Sequence, residues 1–312
     1  MNCRPNLQRK IFGLNKNLNE IINLFNANKM PNKILLSGPK GVGKSTMAYH
    51  IINYIFSKNE TYPYDLQFNE INILNKSFKL MTNGFHPNFY LIDLHDDKKN
   101  IEISQIRKMI EYTNKSSFNN SPKLILIDNI ENLNKNSVNA LLKLIEEPNY
   151  NVFFILIHNC NKKILPTLKS RCLTFKINLS FEQSINISNQ ILNDNIFNLL
   201  HKDLINYYNT PGDFINLINF SKENNIKLKE YNLKNFLSYL INEKLYRDNS
   251  FVKLHIYDYI ELYFLKILSL SYSKNKISSF YTKFIHKINH TNKFNLDYEI
   301  LFMEFKSKVL NE

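Results

Sequence analysis

Cysteine is scarce in this 312-residue chain: Cys3, Cys160 and Cys172 are all it has. An odd number with no C-x-x-C spacing argues against a disulfide framework and a cysteine-based zinc site. The bland reading, buried or incidental thiols, fits all three. Glycine is also rare, six residues in total, in a sequence that otherwise avoids it. No apolar run approaches the roughly 20 residues of a membrane helix. The opening Met1-Asn2-Cys3-Arg4-Pro5-Asn6 lacks the apolar core of a secretory signal, so a cytoplasmic location is expected. Acidic residues are in deficit, 27 against 40 Lys and Arg, leaving a formal charge of +13. Such an excess suits a nucleic-acid partner. The basic residues are scattered, however, through a chain full of Lys, Asn and Ile of the kind AT-rich coding produces, and they mark out no DNA-reading element.

An apolar fraction of 44% with 21% charged residues describes a folded protein. The length exceeds what one ordinary core holds, which predicts two or three domains. In the first half, strands alternate with helices. Leu18, Ile21, Ile22 and Phe25 recur at helical spacing, and Ile34–Leu36 follows as a buried strand. A helix is predicted over 43–56, then a polar irregular stretch to about Pro87. Strands follow at 89–92, 123–128 and 152–157, with helices at 103–112 and 136–147, the latter stopped by Pro148. This alternation predicts an α/β fold with a parallel sheet covered on both faces. From about Phe181 the strand signals cease. Leu233, Phe236, Leu237 and Leu240, then Val252, Ile256, Ile260, Tyr263 and Ile267, then Phe280, Phe284 and Ile288, and finally Phe302, Phe305 and Val309 predict successive helices. Tyr257, Tyr259, Tyr263 and Phe264 could stack bases, but at this spacing they fit a core or a subunit interface better. The boundaries predicted are 1–178, 179–228 and 229–312.

Residues 38–45, Gly-Pro-Lys-Gly-Val-Gly-Lys-Ser, fit G-x-x-x-x-G-K-[ST] between an apolar strand and a helix, the context this motif requires. Three of the six glycines, Gly38, Gly41 and Gly43, lie here. Gly41 and Gly43 allow backbone angles that a Cβ opposes, so successive N–H groups can surround a phosphate, and the next helix adds the positive end of its dipole. Gly38, Pro39, Lys40, Gly41, Val42, Gly43, Lys44, Ser45 and Thr46 are therefore the candidate nucleotide-binding segment. Lys44 is placed for the outer phosphates and Ser45 for magnesium.

Leu124–Asp128 is an apolar strand ending in a carboxylate, the second candidate magnesium ligand. In motor ATPases of this architecture a glutamate at about the next position polarises the attacking water. Here Asn129 stands there, and an amide cannot accept the proton, so general-base assistance, worth about 10² to 10⁴ in rate, is expected to be absent or to come from elsewhere. Glu131 is read as a solvated loop residue.

Ser137-Val-Asn-Ala-Leu-Leu-Lys-Leu-Ile-Glu-Glu-Pro148 resembles the N-A-L-L-K-x-x-E-E-P signature of bacterial DNA polymerase III clamp-loader subunits. Leu165-Pro-Thr-Leu-Lys-Ser-Arg-Cys172 resembles their L-P-T-x-x-S-R-C segment. Phosphate loop, His86-Pro87, Gln105-Ile-Arg107, acidic strand and these two segments stand in the family's order over residues 10–178, and His158-Asn159 matches a pair common in its delta-prime members. The resemblance implies an AAA+ type P-loop domain (1–178), a small helical lid (179–228) and a C-terminal helical collar through which subunits assemble (229–312). It also implies Asn159 as a nucleotide-site residue and Arg171 as an arginine finger reaching a neighbour's ATP in trans, where its planar fork can neutralise transition-state charge.

Departures from the family's motor pattern point to the delta-prime type. Asn129 replaces the glutamate, and in Thr210-Pro211-Gly212-Asp213 an aspartate stands where related chains often place a sensing arginine. A negative charge there repels phosphate. Many relatives carry a four-cysteine zinc module after the phosphate loop. No cysteine lies between Lys44 and His86, so no zinc is expected, and His86-Pro87 reads as a turn. The expectation is a stationary subunit of a hetero-oligomeric loader within a DNA polymerase holoenzyme. Its ATP and magnesium site is retained or vestigial, and its own ATPase weak or absent. Expected partners are gamma/tau-like and delta-like subunits, the sliding clamp and primed DNA, with no membrane. The rivals are an ATP-hydrolysing motor subunit of the same machine and a non-replicative P-loop nucleic-acid ATPase.

Overall fold

The computed structural model describes residues 4–94, 98, 100–147, 149, 151–270, 274–294 and 296–310; Cys3 and Pro148 lie outside them. In chain order the α-helices and strands of the first half are α1 (Asn15–Asn26), β1 (Lys33–Ser37), α2 (Lys44–Ser57), α3 (Lys76–Thr82), β2 (Phe89–Ile92), α4 (Ile103–Asn114), β3 (Lys123–Ile127), α5 (Lys135–Glu146), β4 (Val152–His158), α6 (Pro166–Lys169) and β5 (Leu173–Lys176). From there the chain is helical among the described residues: α7 (Phe181–Leu192), α8 (Ile196–Leu199), α9 (Pro211–Glu223), α10 (Leu233–Asn242), α11 (Ser250–Leu270), α12 (Lys274–Phe294) and α13 (Tyr298–Phe305).

The strands form one parallel sheet in the order β2-β3-β4-β1-β5. Strand periodicity divides its side chains between two cores. Ile34, Leu36, Leu124, Leu126, Ile155 and Ile157 face one side, with Leu18, Ile21, Met47 and Ile51 of α1 and α2. Leu35, Ile125, Ile127, Phe154 and Leu156 face the other, with Ile106 and Met109 of α4 and Leu141 and Ile145 of α5. Burial on both faces is why these strands read as unbroken apolar runs. The mixed α/β class and the parallel sheet agree with the sequence reading.

Two elements escaped that reading. Within the stretch expected to be irregular, α3 forms because the Asn75 side chain accepts the Phe78 N–H at 2.6 Å and Glu60 accepts the Lys76 and Ser77 N–H groups at 2.8 and 3.0 Å. Phe78 and Met81 then bury against the first core. Strand β5 is four residues with Leu173 and Lys176 exposed, too short to show a period. It is held by parallel pairing to β1 from Ile34↔Leu173 to Ser37↔Lys176.

The chain divides into two compact units, Met1–Ile187 with Thr210–Gly212, and Ser188–Asn209 with Asp213–Glu312. The core of the second is aromatic, with Phe236, Phe264, Phe284, Phe302 and Phe305 fully buried. Tyr259 and Tyr263 are buried there too, and the Tyr257 ring lies 6.0 Å from that of Phe302. No helix among the described residues is long and apolar enough to cross a membrane.

Candidate functional site

Because the strands are parallel, the turns after β1, β3 and β4 emerge at one edge of the sheet, where α/β folds bind ligands. The loop after β1 is fastened at its base by the Gly38 N–H donating to the His158 carbonyl at 3.2 Å. Gly41 and Gly43 have φ of +87° and +93°, the left-handed region in which the loop N–H groups turn inward. Pro39 and Lys40 are exposed at its outer bend, Val42 is buried beneath it, and Ser45 and Thr46 form the first turn of α2 with Lys44. Thr210-Pro211-Gly212 packs on the loop. The Gly212 N–H donates to the Gly41 carbonyl at 3.0 Å, and the backbones approach so closely that a Cβ on Gly212 would fall 2.6 Å from the Gly41 Cα.

Lys44 is 3% exposed, and its Nζ donates to the carbonyls of Gly38 at 2.9 Å and Pro39 at 2.6 Å. Burial lowers its pKa to about 8, against the opposing pull of Asp128. Ser45 Oγ donates to Asp128 Oδ2 at 2.5 Å. Burial raises the Asp128 carboxyl to about 6, while the Ser45 hydrogen bond works in the opposite direction. A left-handed loop with a lysine curled over its carbonyls fits a polyphosphate, which would recruit the ammonium group. A hydroxyl and a carboxylate already in contact supply the hard oxygen donors that magnesium takes. The residues therefore fit a magnesium nucleotide.

The next positions are built differently. Asn129 takes a left-handed conformation, φ +56°, and its N–H caps Asp128 Oδ1 at 2.7 Å. Its amide bridges two strand ends: Nδ2 donates to Asp93 Oδ1 at 2.7 Å, and Oδ1 accepts from Asn159 Nδ2 at 2.8 Å. His158, beside Asn159, presents Nε2 to the Lys162 carbonyl at 2.9 Å, which makes Nε2 the donor, and Nδ1 lies 3.0 Å from the Ser37 hydroxyl.

Glu131 corrects its sequence reading. It is 9% exposed, with Oε2 accepting the Asn159 N–H at 3.3 Å and Oε1 buried with no hydrogen-bond partner. The short 3-10 turn over Ile130–Asn132, started by the positive φ of Asn129, turns the side chain inward. Its charge is felt by Lys44.

The structure thus gathers Lys44, Ser45, Asp128, Asn129 and Asn159 at one sheet edge. Arg171 has other partners, just beyond the α6 C-terminus: Nη2 pairs with Glu146 Oε1 at 2.6 Å, and Nη1 donates to the Thr167 carbonyl at 2.8 Å. Asp213 follows Gly212 in the first turn of α9 and belongs to the second unit. His50 and His86 are both engaged. His50 lies 2.8 Å from the Tyr64 hydroxyl and 3.1 Å from the Gln8 carbonyl, and His86 stacks on Phe56 at 4.0 Å. Among the described residues no group of three or more His, Cys, Asp or Glu could hold a metal ion.

Residues 13–180 match the family model described as DNA polymerase III, delta subunit. The chain is 35% identical over 241 residues to the DNA polymerase III subunit gamma of Buchnera aphidicola subsp. Schizaphis graminum, covering 72% of this chain and 62% of that protein. It is 30% identical over 139 residues to the DNA polymerase III subunit delta' of Pseudomonas aeruginosa, covering 45% of this chain and 40% of that one. The chain therefore spans less than two thirds of the length of these curated relatives. A DNA polymerase III gamma subunit-related protein of Thermotoga maritima has a crystal structure matching 92% of this chain and 97% of its own, with a TM-score of 0.49 and 15% identity.

Proposed function

We propose that this chain, which belongs to the family of DNA polymerase III clamp-loader subunits, acts as a delta-prime-like stationary subunit that helps open a ring clamp and place it on primed DNA. The observation that carries this reading is Asn129, whose amide is fixed between Asp93 and Asn159 at the position where a motor subunit needs a base. Magnesium and ATP, when bound, would supply polarised phosphates. Lys44 would neutralise the outer ones, Ser45 and Asp128 would hold the ion, and the loop N–H groups would orient the chain of phosphates. Lys44 and Ser45 are not bases and the Asp128 carboxylate is committed to Ser45 and the ion, so in this reading the local site serves binding or structure. The chemical contribution is Arg171, exposed beyond α6 and completing a neighbouring subunit's site. In this reading 1–178 is the P-loop domain, 179–228 the lid and 229–312 the assembling collar of a cytoplasmic hetero-oligomer with gamma/tau-like and delta-like subunits.

Two observations favour a second reading, a gamma/tau-like motor: the loop is complete, and Glu131 is a buried carboxylate beside Asn159 with one oxygen unpartnered. Phosphate release by the purified chain, with and without primed DNA, separates the two. The delta-prime reading predicts negligible turnover. A rate of about 1 per second or more would make the chain a motor. Recovery of loader motor subunits with the tagged chain from its native cytoplasm tests membership of the complex itself.

A further inference from the structure

The ion pair between Glu146 and Arg171 joins the two segments that carry the family resemblance, the last residue of α5 and the first residues beyond α6. An arginine at the end of a four-residue helix has a long stem and much rotamer freedom to lose on being ordered. Here its guanidinium is gripped twice, Nη2 by Glu146 Oε1 at 2.6 Å and Nη1 by the Thr167 carbonyl at 2.8 Å. The side chains of Arg171 and Glu146 are 36% and 48% exposed, and a pair so wet contributes little to stability. Two of the five guanidinium N–H donors are engaged, which leaves three to face an outside anion without breaking the grip.

We infer that Glu146 is a positioning residue: it holds the Arg171 fork ready for a polyphosphate bound on a neighbouring subunit. The inference rests on the trans role of Arg171 proposed above and adds the residue that aims it. A fork held in place acts on the transition state without first being ordered, so loosening it lowers turnover more than it weakens nucleotide binding.

The test uses the loader reconstituted with its motor subunits, following clamp-stimulated ATP hydrolysis as a function of ATP. Glu146→Ala should lower kcat at the affected site by roughly tenfold with little change in KM. Glu146→Gln, which keeps an acceptor oxygen but no charge, should fall in between. In an Arg171→Ala background, Glu146→Ala should have no further effect. If Arg171→Ala lowers the rate while Glu146→Ala is silent, the positioning role is overturned and the trans arginine stands. If Glu146→Ala costs as much without Arg171 as with it, its role is structural and the inference fails. If Arg171→Ala is itself silent, both readings fall. An independent check needs no partner: hydrogen exchange of the Arg171 guanidinium in the isolated chain should quicken in Glu146→Ala, and equal rates in the two proteins would contradict the grip.

Discussion

On its phosphate side the sheet edge keeps what nucleotide recognition needs: left-handed Gly41 and Gly43, a buried Lys44, and Ser45 in contact with Asp128. On its water side, one residue past Asp128, the Asn129 amide is locked between the Asp93 carboxylate and the Asn159 amide. The first set holds charge and leaves donors for a ligand. The second is built around an amide that cannot act as a base, with the Glu131 carboxylate set back behind the Asn159 N–H and one of its oxygens unpartnered. The difference teaches that a shaped phosphate loop and a placed base are separate requirements, because adjacent residues after β3, Asp128 and Asn129, serve them with different partners.

The comparison is broken most strongly by putting the base back. If the water side is deficient only for want of a carboxylate, Asn129→Glu should raise ATP turnover by about 10² to 10⁴. The geometry predicts that it will not. A glutamate there meets the Asp93 carboxylate, which now accepts from the amide at 2.7 Å, and it must adopt the φ of +56° that Asn129 tolerates. Phosphate release should stay at the low level of the parent chain, with stability reduced by about 1–3 kcal/mol in urea unfolding.

On the phosphate side the corresponding break is Gly212→Ala. A Cβ there lies 2.6 Å from the Gly41 Cα and 3.1 Å from its carbonyl oxygen, and neither backbone atom can swing aside. Overpacking of this kind costs about 1–3 kcal/mol. The urea midpoint should fall. An unchanged midpoint would mean that the Thr210–Gly212 segment does not brace the loop.

Much of this was legible in the sequence and some was not, for local reasons. The phosphate loop and the loss at Asn129 could be read because the motif fixes both glycine positions and neighbours within a few residues. The Gly41–Gly212 contact could not, since it joins segments 171 residues apart and neither carries a pattern for the other. Glu131 was misread as solvated because nothing in Asp-Asn-Ile-Glu announces that Asn129 turns left-handed and swings the carboxylate inward. The helix α3 was hidden in an Asn-rich stretch where capping by Asn75 and Glu60, not apolar periodicity, sets the start.

The chain's response to pH combines contributions of opposite sign. Burial lowers His50 and His86 from 6.5 to about 4. The folded chain therefore binds fewer protons there than the unfolded one, and their contribution, complete above about pH 6.5, is lost as the pH falls towards 4. Asp128 has the opposite sign. Raised from 3.8 to about 6, it keeps a proton that the unfolded chain has released, so it costs stability as the pH rises through that window. Asp128→Asn should stabilise the chain at pH 7 by on the order of 1–2 kcal/mol and make the loss between pH 6 and 4 steeper, read as urea midpoints across that range. A shallower acid limb would reverse the assignment. The smallest expected effect is that of Arg171→Ala on folding. Its pair with Glu146 is half exposed, so the unfolding midpoint should move by no more than about 0.5 kcal/mol, leaving assembly with partner subunits intact.

The central claim, that this chain's chemistry is given to a neighbour and not done at its own loop, is tested most directly by ranking two substitutions in the reconstituted loader. Arg171→Ala removes a trans arginine of a kind worth about 10³ to 10⁵ at the site it serves, although other sites in the complex dilute the total. Lysine at 171 should rescue poorly for want of the bidentate fork. Lys44→Ala removes the ammonium group of the local loop. Clamp-stimulated ATP hydrolysis should fall more for Arg171→Ala than for Lys44→Ala, and the opposite ranking, with Arg171→Ala silent and Lys44→Ala crippling, would make this subunit a motor.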